Sequence, residues 1–177
     1  MPGRTILVNR APVLTLWATV VAERLGHDRA AALTLGKAVA GLNAQSKGRR
    51  LGLFEAPEPG ARPRKAKPRK APELIPLLGR AVPVTHTPKG VRAVVKDRPE
   101  DPASVERYLR QKFGDALADV TAAMKALAKS LPPRRLEGEA FALYEAFRPK
   151  IPEGVKGWGA KGVLDLGRLR SLAERRG

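Results

Sequence analysis

The chain has no cysteine, only two histidines, few aromatic residues (5%) and half as many acids as bases. Each shortage excludes something. Without cysteine there are no disulfides, no thiolate nucleophile and no cysteine-held zinc or iron–sulfur centre, and the composition suits a reducing compartment. His27 and His86 stand alone in the sequence, with no metal-ligand spacing around them, and neither a nucleophile elbow nor a framed carboxylate pair is visible. No enzyme activity, cofactor or metal is therefore expected. The scarcity of aromatics means that any core is built from Leu, Val and Ala, which favours helices. No apolar run reaches the roughly 20 residues needed to cross a bilayer, and the first residues lack the pattern of a signal peptide. A cytoplasmic protein that avoids membranes is expected, nucleoid-associated if it is bacterial.

What is present in excess is positive charge. Lys and Arg number 34 against 17 Asp and Glu in 177 residues, a net charge of +17. Codon bias can enrich arginine, but it supplies acids as well, and proteins with many surface arginines usually balance them. A twofold excess of bases points to a polyanionic partner. Residues 1–50 hold eight bases against Glu23 and Asp28, and residues 61–70 hold six against none. The contact is expected to centre on the N-terminal part.

Composition divides the chain into three. In a basic helical region, 1–54, Thr5 to Val8 favour a strand. A first helix follows from Ala11, with Leu14, Trp17, Val21 and Leu25 spaced three or four apart and Gly26 ending it. Asp28 is placed to cap a second helix with an apolar stripe at Leu35, Val39 and Leu42. The same helix carries a strip of small residues, Ala32, Gly36 and Ala40, that lets another backbone approach closely. Such a strip needs a partner, from the C-terminal helices or from a second copy in a homo-oligomer. The helix runs out into Lys47, Arg49 and Arg50. Residues 55–72 form a cationic arm in which Arg62, Arg64, Lys65, Lys67, Arg69 and Lys70 alternate with Pro and Ala, with nothing to bury.

The remainder, 73–177, predicts a β-hairpin and a set of helices. Val82, Val84, Val91, Val94 and Val95 flank Thr87-Pro88-Lys89-Gly90, which puts Lys89 at a hairpin tip. Asp101 and Pro102 open a long helix through Leu127, bent at Gly114; Pro132 and Pro133 break it and open another that ends at Pro149. Asp165 precedes a short last helix. The fold class expected is mainly α. Between these helices, Lys156, Trp158 and Lys161 sit among glycines, a composition able to turn amides toward an anion and offer a stacking face, or to pin a loop by a buried Trp.

Residues 18–37 resemble a helix-turn-helix DNA-binding unit: Ala22 stands where that family has its small residue, Gly26 at the turn, and Leu35 where the second helix docks. The resemblance implies a second helix able to enter a groove, with Arg29, Thr34 and Lys37 as its hydrogen-bonding side chains. Ala30, Ala31 and Ala32 occupy positions where a reading helix carries polar groups, so little base discrimination is expected. The arm resembles the Pro, Lys and Ala tails of linker histones. It also resembles an AT-hook at Arg62-Pro63-Arg64, but Ala61 replaces that motif's required glycine, so no AT preference follows. The expectation is nucleic-acid binding through phosphates, with duplex DNA ahead of RNA or a ribosomal partner. A scaffold that docks an acidic protein is the alternative from a different class.

Overall fold

The computed structural model describes residues 5–50, 73–95, 98–149 and 161–176, with 43–50, 95, 161 and 175–176 described by their backbone alone. The protein is mainly α-helical with two small antiparallel sheets. In chain order the elements are β1 (Thr5–Asn9), α1 (Arg10–Arg24), α2 (Arg29–Arg50), β2 (Glu73–Leu77), β3 (Arg80–Thr87), β4 (Gly90–Val95), β5 (Arg98–Pro99), α3 (Pro102–Phe113), α4 (Leu117–Lys129), α5 (Pro133–Phe147), β6 (Lys161–Asp165) and α6 (Leu166–Arg176).

Helix α1 is the axis of the molecule. Every residue from Pro12 to Ala22 is buried, on all sides of the helix. This stretch contains no charge, and its two polar residues satisfy themselves: the Thr15 and Thr19 hydroxyls donate to the carbonyls of Ala11 and Thr15 one turn back. A helix apolar all round must be enclosed, and α1 is enclosed by α2, α3, α4 and α5. Trp17, fully buried, donates its indole N–H to the Ala140 carbonyl of α5 at 2.9 Å and meets the Phe147 ring edge-on. One cluster of buried side chains runs from Val8 to Leu172. The regions 1–54 and 73–177, separable by composition, thus contribute to a single core, and the arm between them lies outside the described residues.

The small-residue strip of α2 finds its partner inside the chain. Ala32, Gly36 and Ala40 are buried, and a Cβ on Gly36 would stand 2.5 Å from the Thr15 carbonyl oxygen of α1 and press on Thr19 Oγ1. The strip therefore offers nothing to a second copy, and the sequence argument for a homo-oligomer loses its basis. Gly36→Ala should destabilise the fold by about 3 kcal/mol, because two helix backbones must part to admit the methyl group. Gly41→Ala, on the same helix with open space at its Cβ, should stabilise it by about 0.5–1 kcal/mol through helix propensity. Urea midpoints measure both; equal effects would show that α1 and α2 do not pack at Gly36.

The predicted hairpin belongs to a larger sheet. β2, β3, β4 and β5 form an antiparallel meander. Lys89 stands at the β3–β4 turn as expected, with Thr87 opposite Gly90. The second hairpin turns at Leu78-Gly79, whose φ values of +49° and +75° mark a type I′ turn. A leucine in that left-handed position is uncommon, and its side chain is buried, which offsets the backbone cost. The β3–β4 ladder ends at Val84, next to Pro83, which has no N–H to give.

The long helix predicted from Asp101 is divided rather than bent. Asp101 caps α3 by accepting the Ala103 N–H, Gly114 takes φ +55°, and a 3-10 turn over Gly114–Ala116 leads into α4. Pro132 and Pro133 separate α4 from α5 as expected. A ribbon unread in the sequence closes the fold, pairing β1 with β6 from Thr5 opposite Asp165 to Asn9 opposite Lys161.

Candidate nucleic-acid interface

Helix α2 was the candidate for entering a groove, and its surroundings bear on that directly. From Ala31 to Gly36 every residue is buried. Thr34, expected to offer its hydroxyl to a base edge, is fully buried: it donates to the Ala31 carbonyl and accepts the Ala93 N–H of β4. It ties α2 to the sheet and cannot reach a base. At the α1–α2 turn Gly26 takes φ +112°, and Leu35 is buried in the core. What departs from a groove-reading unit is the face that would do the reading, since the sheet and α3 cover it.

The other two side chains expected to read bases, Arg29 and Lys37, are not fully buried and are engaged. The Arg29 guanidinium pairs with Glu23 at 3.2 Å and Glu106 at 3.8 Å, and Glu106 also holds Arg110. This network bridges α1, α2 and α3. The Lys37 ammonium lies 3.9 Å from the centroid of the Tyr108 ring, with Lys112 at 6.0 Å. Tyr108 is half-buried, and desolvation raises its hydroxyl above the ordinary tyrosine range. Two lysines around one aromatic face make a cationic patch on the α2–α3 surface, though the ring itself is already occupied.

The sheet brings Lys89 to the start of α2. Its side chain is exposed at the β3–β4 turn, and the neighbouring Gly90 lies against Asp28 and Arg92. Asp28 caps α2 by accepting the Ala31 N–H. Arg92, 7% exposed, has its guanidinium bound to the Val91 and Lys89 carbonyls, which fixes the turn that carries Lys89. Sequence reasoning passed over Arg92, and a lone charge within a run of valines was the signal available.

Lys47, Arg49 and Arg50 continue α2 as backbone only; Lys161 opens β6 opposite Asn9. Arg62, Arg64, Lys65, Lys67, Arg69, Lys70, Lys156 and Trp158 lie outside the described residues. The fold thus brings Arg29 and Lys89 to one end of α2 and leaves Lys37 farther along it.

A second basic cluster was not anticipated. Arg10, at the first position of α1, donates its Nε–H to the Pro149 carbonyl at 3.0 Å; Arg168 of α6 donates to the Ala146 carbonyl at 3.3 Å; Arg148 lies between those two acceptors in sequence. Burial first, and Arg148 second, hold the Arg10 guanidinium below its ordinary pKa, with Tyr144 opposing. Burial pushes the Tyr144 hydroxyl up to about 12 against the pull of Arg148 and Arg10, with Glu145 adding slightly to the rise. These residues are far apart in sequence; α5 packs beside α1, α6 packs on α4, and the Arg168 bond to Ala146 ties α6 to the end of α5.

Among the described residues no group of three or more His, Cys, Asp or Glu is placed to hold a metal ion, and no helix is long and apolar enough to cross a membrane. His86 pairs with Glu73 across β2 and β3, and His27 sits in the α1–α2 turn with its backbone N–H on the Ala22 carbonyl. No protein-family model, curated protein or solved structure matches the chain.

Proposed function

We infer that this protein binds nucleic acid, duplex DNA in the first place, through its phosphates and with little sequence preference, as an accessory to DNA organisation or DNA transactions. The observation that carries the reading is the net charge of +17, concentrated in the N-terminal part and the arm. Phosphate contacts made by exposed cations supply affinity without sequence information, whereas base reading needs polar side chains on an element that can enter a groove. The burial of Thr34 and the engagement of Lys37 with Tyr108 support the first mode over the second.

Copurification of the full chain with and without nuclease tests the class of partner. Bound material lost to DNase and retained after RNase supports the reading; the opposite pattern would assign the protein to RNA, and material unaffected by either would favour an acidic protein partner.

The arm makes a separate prediction. Its composition has nothing to bury, so deleting Arg62 to Lys70 should move the melting temperature by less than about 2 °C. The same deletion should weaken binding to unrelated DNA sequences alike, by about a hundredfold for six lost cations. Melting curves and fluorescence anisotropy with two or three duplexes measure it. A large loss of stability would mean that the segment is packed, and a sequence-dependent loss would mean that the arm reads bases.

A further inference from the structure

We propose that Arg10, Arg148 and Arg168, gathered around the C-terminal turn of α5, form the site on the folded body that grips the phosphodiester backbone of nucleic acid. The proposal rests on the nucleic-acid reading above and adds the surface to it. That surface is the corner where α5 ends beside the starts of α1 and α6, at the opposite end of α1 from the α1–α2 turn.

The first ground is the way the guanidiniums are held. Arg10 and Arg168 each use Nε–H to satisfy a main-chain carbonyl near the end of α5, Pro149 for one and Ala146 for the other. Carbonyls at and just beyond a helix C-terminus lack in-helix partners; the part-buried bond from Arg10 at 3.0 Å is the firmer anchor, and the exposed bond from Arg168 at 3.3 Å orients its side chain. A guanidinium anchored through Nε still presents two terminal nitrogens as a planar fork, the geometry that binds a phosphate with two parallel hydrogen bonds. For Arg10, which is partly buried, some of the ordering entropy is already spent by the fold.

Charge balance is the second ground. Arg29, Arg110 and Arg135 are each neutralised by a glutamate on or near their own helix. Among the described residues no carboxylate forms an ion pair with Arg10, Arg148 or Arg168, even though the exposed Glu145 is close enough to act on Tyr144. Arg10 and Arg148 are near enough to repel each other. Like charges held together at a cost to the fold are relieved by an anion placed between them. Helix α1 begins at Arg10 with no acidic residue in its first turn, so its positive end adds to the same potential.

The test compares two doubly substituted full-length chains of equal net charge. Arg148→Gln with Arg168→Gln removes two members of the cluster and leaves the partly buried Arg10 in place. Arg110→Gln with Arg135→Gln removes two arginines already paired with glutamates. Affinity for a duplex of about 30 base pairs is measured by anisotropy across a salt series. The cluster variant should bind about tenfold more weakly, with a log–log salt slope shallower by about two, while the control stays within about twofold of the unsubstituted chain. Equal losses in the two variants would overturn the site while leaving nucleic-acid binding intact, since net charge alone would then explain them. Failure of the unsubstituted chain to bind any duplex or RNA would overturn both. Should the cluster variant melt early, Arg148→Gln alone decides the matter, because that side chain makes no hydrogen bond or ion pair among the described residues, and a slope change of about one is then expected.

Discussion

Raising monovalent salt from about 50 to about 200 mM should weaken binding of the full chain to duplex DNA by about a thousandfold. The figure follows from counterion release: neutralising six phosphates gives a slope of log K against log salt of about −5, and a fourfold rise in salt to the fifth power is about three decades. Six is a low count for this protein, because residues 61–70 alone carry six cations and the whole chain has an excess of 17. Base contacts and apolar contacts have no comparable salt dependence, so the slope measures the share of the affinity that is electrostatic. Titrations at four or five salt concentrations are sufficient. A slope shallower than about −2 would remove the polyanion reading altogether, since a body with this charge cannot dock on DNA through so few phosphates.

The helices were largely legible in the sequence, and the reason lies in their punctuation. Asp101-Pro102, Pro132-Pro133 and Gly26 start or stop helices through local chemistry that needs no tertiary context, and the structure has α3, α5 and the α1–α2 turn where they indicate. Gly114 was visible too, but its left-handed φ, which ends α3 outright, was not. The strands were harder. Leu78 occupies a turn position where glycine or asparagine would have announced a hairpin, so no local signal marks β2 as the partner of β3. β6 pairs with β1 across 150 residues or more of chain, and no local signal encodes such a partner.

Site residues fared according to the same division. Lys89 was placed at a hairpin tip from four residues of turn chemistry, and it stands there. Thr34 was assigned outward because helical spacing alone cannot say which face of α2 the rest of the chain will cover. The Leu35 and Val39 stripe looked like the buried side, and the sheet then covered a further face. Arg10, Arg148 and Arg168 were legible only as net charge. Their neighbourhood depends on α5 packing against α1, which in turn depends on the residue at the centre of that contact.

Replacing that residue, Trp17, is expected to cost more stability than any other single change considered. Trp17→Ala removes a fully buried side chain at the meeting of α1 and α5, together with the edge-on contact to Phe147 and the indole hydrogen bond to Ala140. Lost transfer free energy and the cavity left behind amount to about 3–5 kcal/mol, a third or more of the stability of an ordinary domain. Trp17→Phe fills most of the space and should cost about 1–2 kcal/mol, because the Ala140 carbonyl keeps its partner within α5 and only the indole bond and some packing are lost. The shape of the unfolding curve is as informative as its midpoint. A single core from Val8 to Leu172 requires one cooperative urea transition, followed by far-UV circular dichroism, that shifts as a whole in both variants. If Trp17→Ala instead split the curve, with an early transition for the N-terminal helices and an unmoved one for the rest, regions 1–54 and 73–177 would be independent folding units. The arginine cluster, which takes Arg10 from one region and Arg148 and Arg168 from the other, would then have no common framework to hold it.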